Sequence, residues 1–153
     1  MKELLVRNRQ RERRVDVRCL KRVAVSLLEE LLALHDYELG IHFVSESQMA
    51  RLNERYLRHT GATDVITFDS RAMNGGDGLS GELYICVAVA ERQAREFRTT
   101  WQSELVRYLT HGVLHLLGYD DLTSEKRKVM KREENRLVRV LEKRFDFDTL
   151  ATE

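Results

Sequence analysis

The sequence predicts an α/β (α+β) domain, with one mixed sheet of four strands packed against about five helices. Three observations lead there. Segments with period-2 alternation or clustered β-formers occur four times, interspersed with segments whose apolar residues recur at the helical period. Their order, βαβαββααα, contains two β-α-β units, which favour parallel strand pairs. A chain of 153 residues is long enough to bury a core of its own. No repeat and no linker divides it, so residues 1–153 are expected to form a single domain.

The elements follow in order. Leu4 to Arg7 is the first strand. Asp16 stands where a helix cap should, before a stripe of Val17, Leu20, Val23, Leu27, Leu31 and Leu34 that runs to about His35. Tyr37 to Val44 alternates Leu39, Ile41 and Phe43 with Glu38, Gly40 and His42, a second strand. His42 falls on its less apolar side, without metal-like spacing to another histidine, and reads as structural. Ser45 and Gln48 form a capping-box pattern, opening a helix expected to bury Met49, Leu52 and Tyr56.

Thr63 to Asp69 is the third strand, expected to lie parallel to the second. Gly75, Gly76 and Gly78 then make a flexible connection to the fourth strand, Gly81 to Val87, antiparallel to the third if the connection is a hairpin. A short helix follows, expected to bury Ala90, Ala94 and Phe97. Thr99 and Gln102 suggest a cap for the next helix, which reaches about Leu117. It turns Leu105, Leu109, Val113 and Leu116 inward and carries Glu104, Tyr108, His111 and His115 on another face. The last helix runs from about Ser124 to Lys143, and the acidic tail after it is expected to fray.

The most informative stretch is Thr110 to Leu122, THGVLHLLGYDDL. His111 and His115 are one helical turn apart on one face, the geometry of two ligands to one metal ion. Gly118 can end the helix in a left-handed conformation and turn the chain so that Tyr119, Asp120 and Asp121 come back toward the histidines. The frame H-x-x-x-H-x-x-G-x-x-D has the offsets of the metzincin frame, with Asp121 where that frame has a third histidine. Two imidazoles and a carboxylate suit about one Zn²⁺ per chain, with a fourth position left open. Asp120 is the alternative third ligand.

HGVLHLLGYDD resembles the signature of the YbeY family, H-G-x-L-H-L-x-G-Y-D-H, and departs from it only at the last position. There Asp121 replaces a metal-binding histidine. Asn53 and Tyr56, the run TDVITFD from Thr63 to Asp69, and GELYICV from Gly81 to Val87 resemble further family blocks, in the family's order. The resemblance implies a zinc-dependent, single-strand-specific endoribonuclease. Such an enzyme matures the 3′ end of small-subunit ribosomal RNA and serves ribosome quality control. The family often places an arginine four residues after the asparagine, where this chain has Leu57. The next residues, Arg58 and His59, are the candidates for phosphate clamp and proton donor. Thr63 and Asp64 match the family's T-D pair, and Asp64 reads as a capping or orienting residue rather than a base.

Charge and composition bound the rest. The net charge of +1 gives no overall field for nucleic acid, so any such surface must be local. Arg9 and Arg11 belong to a basic cluster spanning the first strand and the loop after it, a candidate RNA-binding patch beside Arg58. The last helix is also rich in Lys and Arg, but interleaved glutamates make it read as a solvated face. Cys19 and Cys86 read as small core residues, and the chain as cytoplasmic with no membrane span. The expected partners are single-stranded and ribosomal RNA and the small ribosomal subunit.

Two other readings of the site stand beside the nuclease. The offsets invite a zinc metalloprotease, but the general-base glutamate of H-E-x-x-H is replaced by Gly112. A ribosome-assembly factor with a structural zinc would need a fourth protein ligand. The occupant of the fourth coordination position discriminates between catalysis and structure.

Overall fold

The computed structural model describes residues 1–57, 63–71 and 78–152. Its strands are β1 (Lys2–Asn8), β2 (Tyr37–Val44), β3 (Val65–Asp69) and β4 (Leu79–Cys86). Its α-helices are α1 (Val17–Val25), α2 (Glu46–Leu52), α3 (Val87–Phe97), α4 (Trp101–Leu116) and α5 (Ser124–Arg144). Wider π-helical turns extend α1 over Ser26–Leu31 and α2 over Asn53–Leu57. The result is the mixed-sheet α+β domain that the sequence predicts.

Side-chain caps set where the helices begin. Asp16 accepts from the Cys19 amide at 3.0 Å, Ser45 from Gln48 at 3.2 Å and Thr123 from Lys126 at 3.1 Å. α4 starts one residue later than expected. Thr100 is its cap, accepting from the Ser103 amide at 3.1 Å, while the Thr99 hydroxyl donates to Glu104 Oε1 at 2.6 Å.

The sheet order is β1-β2-β4-β3. β1 and β2 are parallel as expected, and β3 and β4 are antiparallel. The expected parallel pairing of the second and third strands is overturned: β4 lies between them, parallel to β2 from Tyr37↔Leu79 to Val44↔Cys86. The reason lies in burial. β4 packs Leu83 and Ile85 on one face and Cys86 on the other, so it suits the interior, whereas the shorter, partly exposed β3 suits an edge.

The main core lies between one sheet face and α1, α4 and α5, with Ile41, Phe43, Leu83 and Ile85 facing Leu20, Leu105, Leu109 and Leu137. A smaller cluster of Val44, Met49, Ile66, Cys86 and Val89 fills the other face beneath α2. Cys19 and Cys86 are buried free thiols. α4 lies unusually close to the sheet. A Cβ on Gly112 would come within 2.7 Å of Leu83 Cδ2, and one on Gly81 within 2.7 Å of Leu116 Cδ2.

Three further expectations fail. Tyr56 is 52% exposed, resting edge-on against Phe68, and Phe97 is 63% exposed. α3 ends at Arg98 in the left-handed conformation, and its last turn stands clear of the core that holds Ala90 and Ala94. The tail does not fray. Phe147 and Leu150 are buried in a 3₁₀ turn, Asp16 N–H donates to Leu150 O at 2.7 Å, and Thr152 N–H donates to Arg14 O at 3.1 Å. Among the described residues, no helix is long and apolar enough to cross a membrane.

Candidate metal centre

α4 carries Glu104, Tyr108, His111 and His115 at i, i+4, i+7 and i+11, so they form one stripe along the helix. The adjacent face is locked to the sheet through Gly112 and Leu116, which fixes where the stripe points. α4 stops at Gly118, whose φ of +103° is costly for any other residue. Gly118 N–H donates to His115 O and Tyr119 N–H to Leu114 O, both at 3.0 Å. The reversed chain brings the Tyr119 carbonyl to His115 Nδ1, at 3.1 Å. The same turn therefore ends the helix and orients the second histidine.

His111 is oriented from across the cleft. Its Nδ1 lies 2.7 Å from Glu134 Oε1, on α5. Glu134 is only 3% exposed, and its other oxygen accepts from Arg107 Nη1 at 2.6 Å and Lys131 Nζ at 3.3 Å. Burial pushes this carboxyl up, but bonds from His111 and Arg107, with the nearby Lys131 charge, outweigh it and hold the pKa at about 2. Glu134 is therefore an ionised acceptor, and His111 must carry its proton on Nδ1. The Tyr119 carbonyl, also only an acceptor, imposes the same tautomer on His115.

With Nδ1 of each ring engaged outward, both Nε2 atoms turn inward and lie 3.1 Å apart. Two ring nitrogens this close suit a shared proton or a cation between them. Burial, followed by the neighbouring His111, lowers the His115 pKa against the opposing pull of Asp121, which favours the neutral ligand form. One ligand atom from each of His111, His115 and Asp121 lies within 4.8 Å of the others. The donor set and its convergence fit a divalent cation such as zinc, with outer partners already fixing both rings.

Asp120 is used elsewhere. It accepts from the Leu122 amide at 3.0 Å and faces Lys126 Nζ at 3.4 Å, and these two bonds, the backbone one first, lower its pKa. Asp121 keeps its carboxylate toward the histidines while its backbone carbonyl accepts from Arg127 at 3.1 Å. Asp64 orients the start of β3, accepting from the Val65 amide at 2.7 Å.

A cleft of about 750 Å³ opens beside His111, between the α4 stripe, the start of α5, the end of α3 and the start of β3. Arg107, Arg127, Lys128 and Lys131 stand along it. Arg9 and Arg11 are exposed near the end of β1 and are not among its described lining residues. Arg58 and His59 lie outside the described residues. The sequence reading missed Glu134 by counting it with the solvated glutamates of the last helix. The signal was its place on the buried stripe of that helix, four residues after Met130 and three before Leu137.

Fold and site together define a class: single-domain α+β proteins that present a candidate metal-binding histidine pair on one helix beside a cleft. Residues 5–142 match the family model described as endoribonuclease YbeY. A relative named endoribonuclease YbeY from Desulforamulus reducens is 37% identical over 144 residues, covering 86% of this chain and 92% of its own. One of the same name from Chlorobium luteolum is 38% identical over 104 residues, 67% of this chain and 74% of its own. A Thermotoga maritima protein solved in solution superposes with a TM-score of 0.65 at 26% identity, over 90% of this chain and 88% of that one. The chain belongs to the YbeY endoribonuclease family.

Proposed function

We propose that this protein is a zinc-dependent, single-strand-specific endoribonuclease that acts in the cytoplasm on the 3′ end of small-subunit ribosomal RNA, in rRNA maturation and ribosome quality control. His111, His115 and Asp121 hold one zinc per chain. The observation that carries the reading is the convergence of two histidine Nε2 atoms, 3.1 Å apart, with the Asp121 carboxylate, all three ligand atoms within 4.8 Å of one another. The RNA substrate and the ribosomal setting rest on the family and on its relatives' name. Zinc with three protein ligands supplies Lewis acidity and an open position.

The chain's own residues do the rest. Glu134 and the Tyr119 carbonyl hold the imidazoles in register, so no ligand has to reorganise. Lys128 offers an ammonium to the RNA backbone from the α5 wall. Arg58 is the proposed phosphate clamp and His59 the alternative proton donor, with Arg9 and Arg11 contacting RNA farther along.

Position 112 weighs against a peptidase. Its missing Cβ points at Leu83 in the core, so a base at this position would clash with the sheet. A structural zinc is disfavoured because Asp120 is occupied by the turn, leaving three candidate ligands among the described residues.

The test incubates the purified protein with single-stranded RNA and with casein, each with and without chelator, alongside metal analysis. Cleavage of RNA alone, abolished by chelator, with about one zinc per chain, is expected. Chelator-sensitive casein cleavage without RNA cleavage would reverse the reading.

A further inference from the structure

The far end of the α4 stripe holds a group that the metal site does not use. Glu104 is 7% exposed, yet among the described residues its one bonded partner is the Thr99 hydroxyl, on Oε1. No described cation pairs with it. No buried side-chain oxygen or nitrogen among the described residues lacks a partner, so the free Oε2 must reach the open cleft that Glu104 lines. That oxygen is an acceptor that a donor entering the cleft can take. Seven residues of helix put Glu104 about 10 Å from His111 along the axis. That is too far to serve the metal, and about one nucleoside's reach from a phosphate bound there.

The neighbours of Glu104 suit a nucleobase. Tyr108, one turn on, donates its hydroxyl to Gln93 Oε1, which fixes the Gln93 amide and leaves its N–H₂ free to donate into the same cleft. Phe97 stands at the cleft 63% exposed, an unusual position for a phenylalanine and a ready surface for base stacking. The wall opposite carries Lys128, for which no described carboxylate is a partner.

We propose that this end of the cleft is a base-reading subsite for a guanosine next to the phosphate held at the metal centre, with Glu104 accepting from the base, Gln93 donating to it and Phe97 stacking on it. The proposal rests on the ribonuclease reading for its substrate. Guanine fits the donor pattern best. Its Watson–Crick edge places two N–H donors side by side, next to a carbonyl acceptor. The carboxylate takes the donors and the Gln93 amide meets the carbonyl. Uracil and cytosine offer the carboxylate fewer adjacent N–H groups, and a polar site rejects a partner that leaves its groups unpaired.

Mononucleotide binding tests this without requiring cleavage. The full chain is titrated by NMR with guanosine, adenosine, cytidine and uridine monophosphates, and its cut sites are mapped on a randomised single-stranded RNA. Guanosine monophosphate should bind roughly tenfold tighter than uridine monophosphate. Glu104→Gln, which keeps the size and the Thr99 bond, should erase that preference and leave the zinc content unchanged. Phe97→Ala, an exposed position with no bearing on folding, should weaken all four nucleotides alike. Equal binding of the four by the parent, or a guanosine preference that survives Glu104→Gln, overturns the subsite. RNA cutting without base preference alongside equal binding would leave the nuclease reading standing alone. Guanosine-selective, Glu104-dependent binding without RNA cutting would sink the nuclease reading and keep the subsite.

Discussion

Two glutamates are buried in the walls of one cleft, and the protein treats them in opposite ways. Glu134 is saturated: His111, Arg107 and Lys131 take both its oxygens. Glu104 has a threonine hydroxyl on one oxygen and keeps the other toward the cleft. A saturated buried carboxylate has nothing left to offer a ligand, so its work is to hold its neighbours in place. A carboxylate with one oxygen open to the cleft keeps an acceptor that an arriving donor can take. The contrast separates a positioning role near the metal centre from a recognition role two turns away on the same helix.

The largest effect should be on stability. Glu134→Ala removes the common partner of Arg107 and Lys131 and is expected to cost about 3 kcal/mol in urea unfolding, against about 1 kcal/mol for Glu104→Ala. Equal costs would erase the contrast. Next comes metal affinity. Glu134→Gln should weaken zinc binding roughly 10- to 100-fold in a chelator competition, because a ligand loses the acceptor that orients it. Glu104→Gln in the same titration should match the parent.

The pH dependence of stability sharpens the comparison further. The Glu134 pKa falls from 4.5 to about 2 on folding. A carboxyl held low in the folded state contributes stability that is complete above its unfolded value and is lost as pH falls through the folded one. Glu134→Gln should therefore flatten the fall in stability between about pH 4.5 and pH 2 in acid unfolding. The smallest effect concerns the third ligand. Asp121→His should keep zinc and move the pH–rate profile downward, because the site gains one unit of positive charge. Asp120→Ala should leave zinc affinity unchanged, and loss of zinc there would make Asp120 the ligand.

Much of this was legible in the sequence, and the gaps have physical causes. Caps at Asp16 and Ser45 are local chemistry, and each begins its helix as read. His111, His115 and the Gly118 turn are equally local, and they bring Asp121 to the histidines. Strand order is not local. The alternation within each strand does not name its neighbours, and the interior place of β4 follows from the two faces it buries once folded. Glu134 was hidden because its partners lie 23 and 27 residues away on another helix. Phe97 was misread because the helical period does not show that α3 runs past the core in its last turn.

On the proposed function, RNA cleavage depends on a metal held by the paired histidines of α4. Dialysis of the parent and of His115→Ala against the same trace chelator, followed by zinc analysis and a single-stranded RNA assay on each, tests it most directly. About one zinc per parent chain with cleavage is expected, and neither in the variant, whose circular dichroism should still report a folded protein. A His115→Ala protein that keeps its zinc, or cuts RNA at the parent's rate, would contradict it.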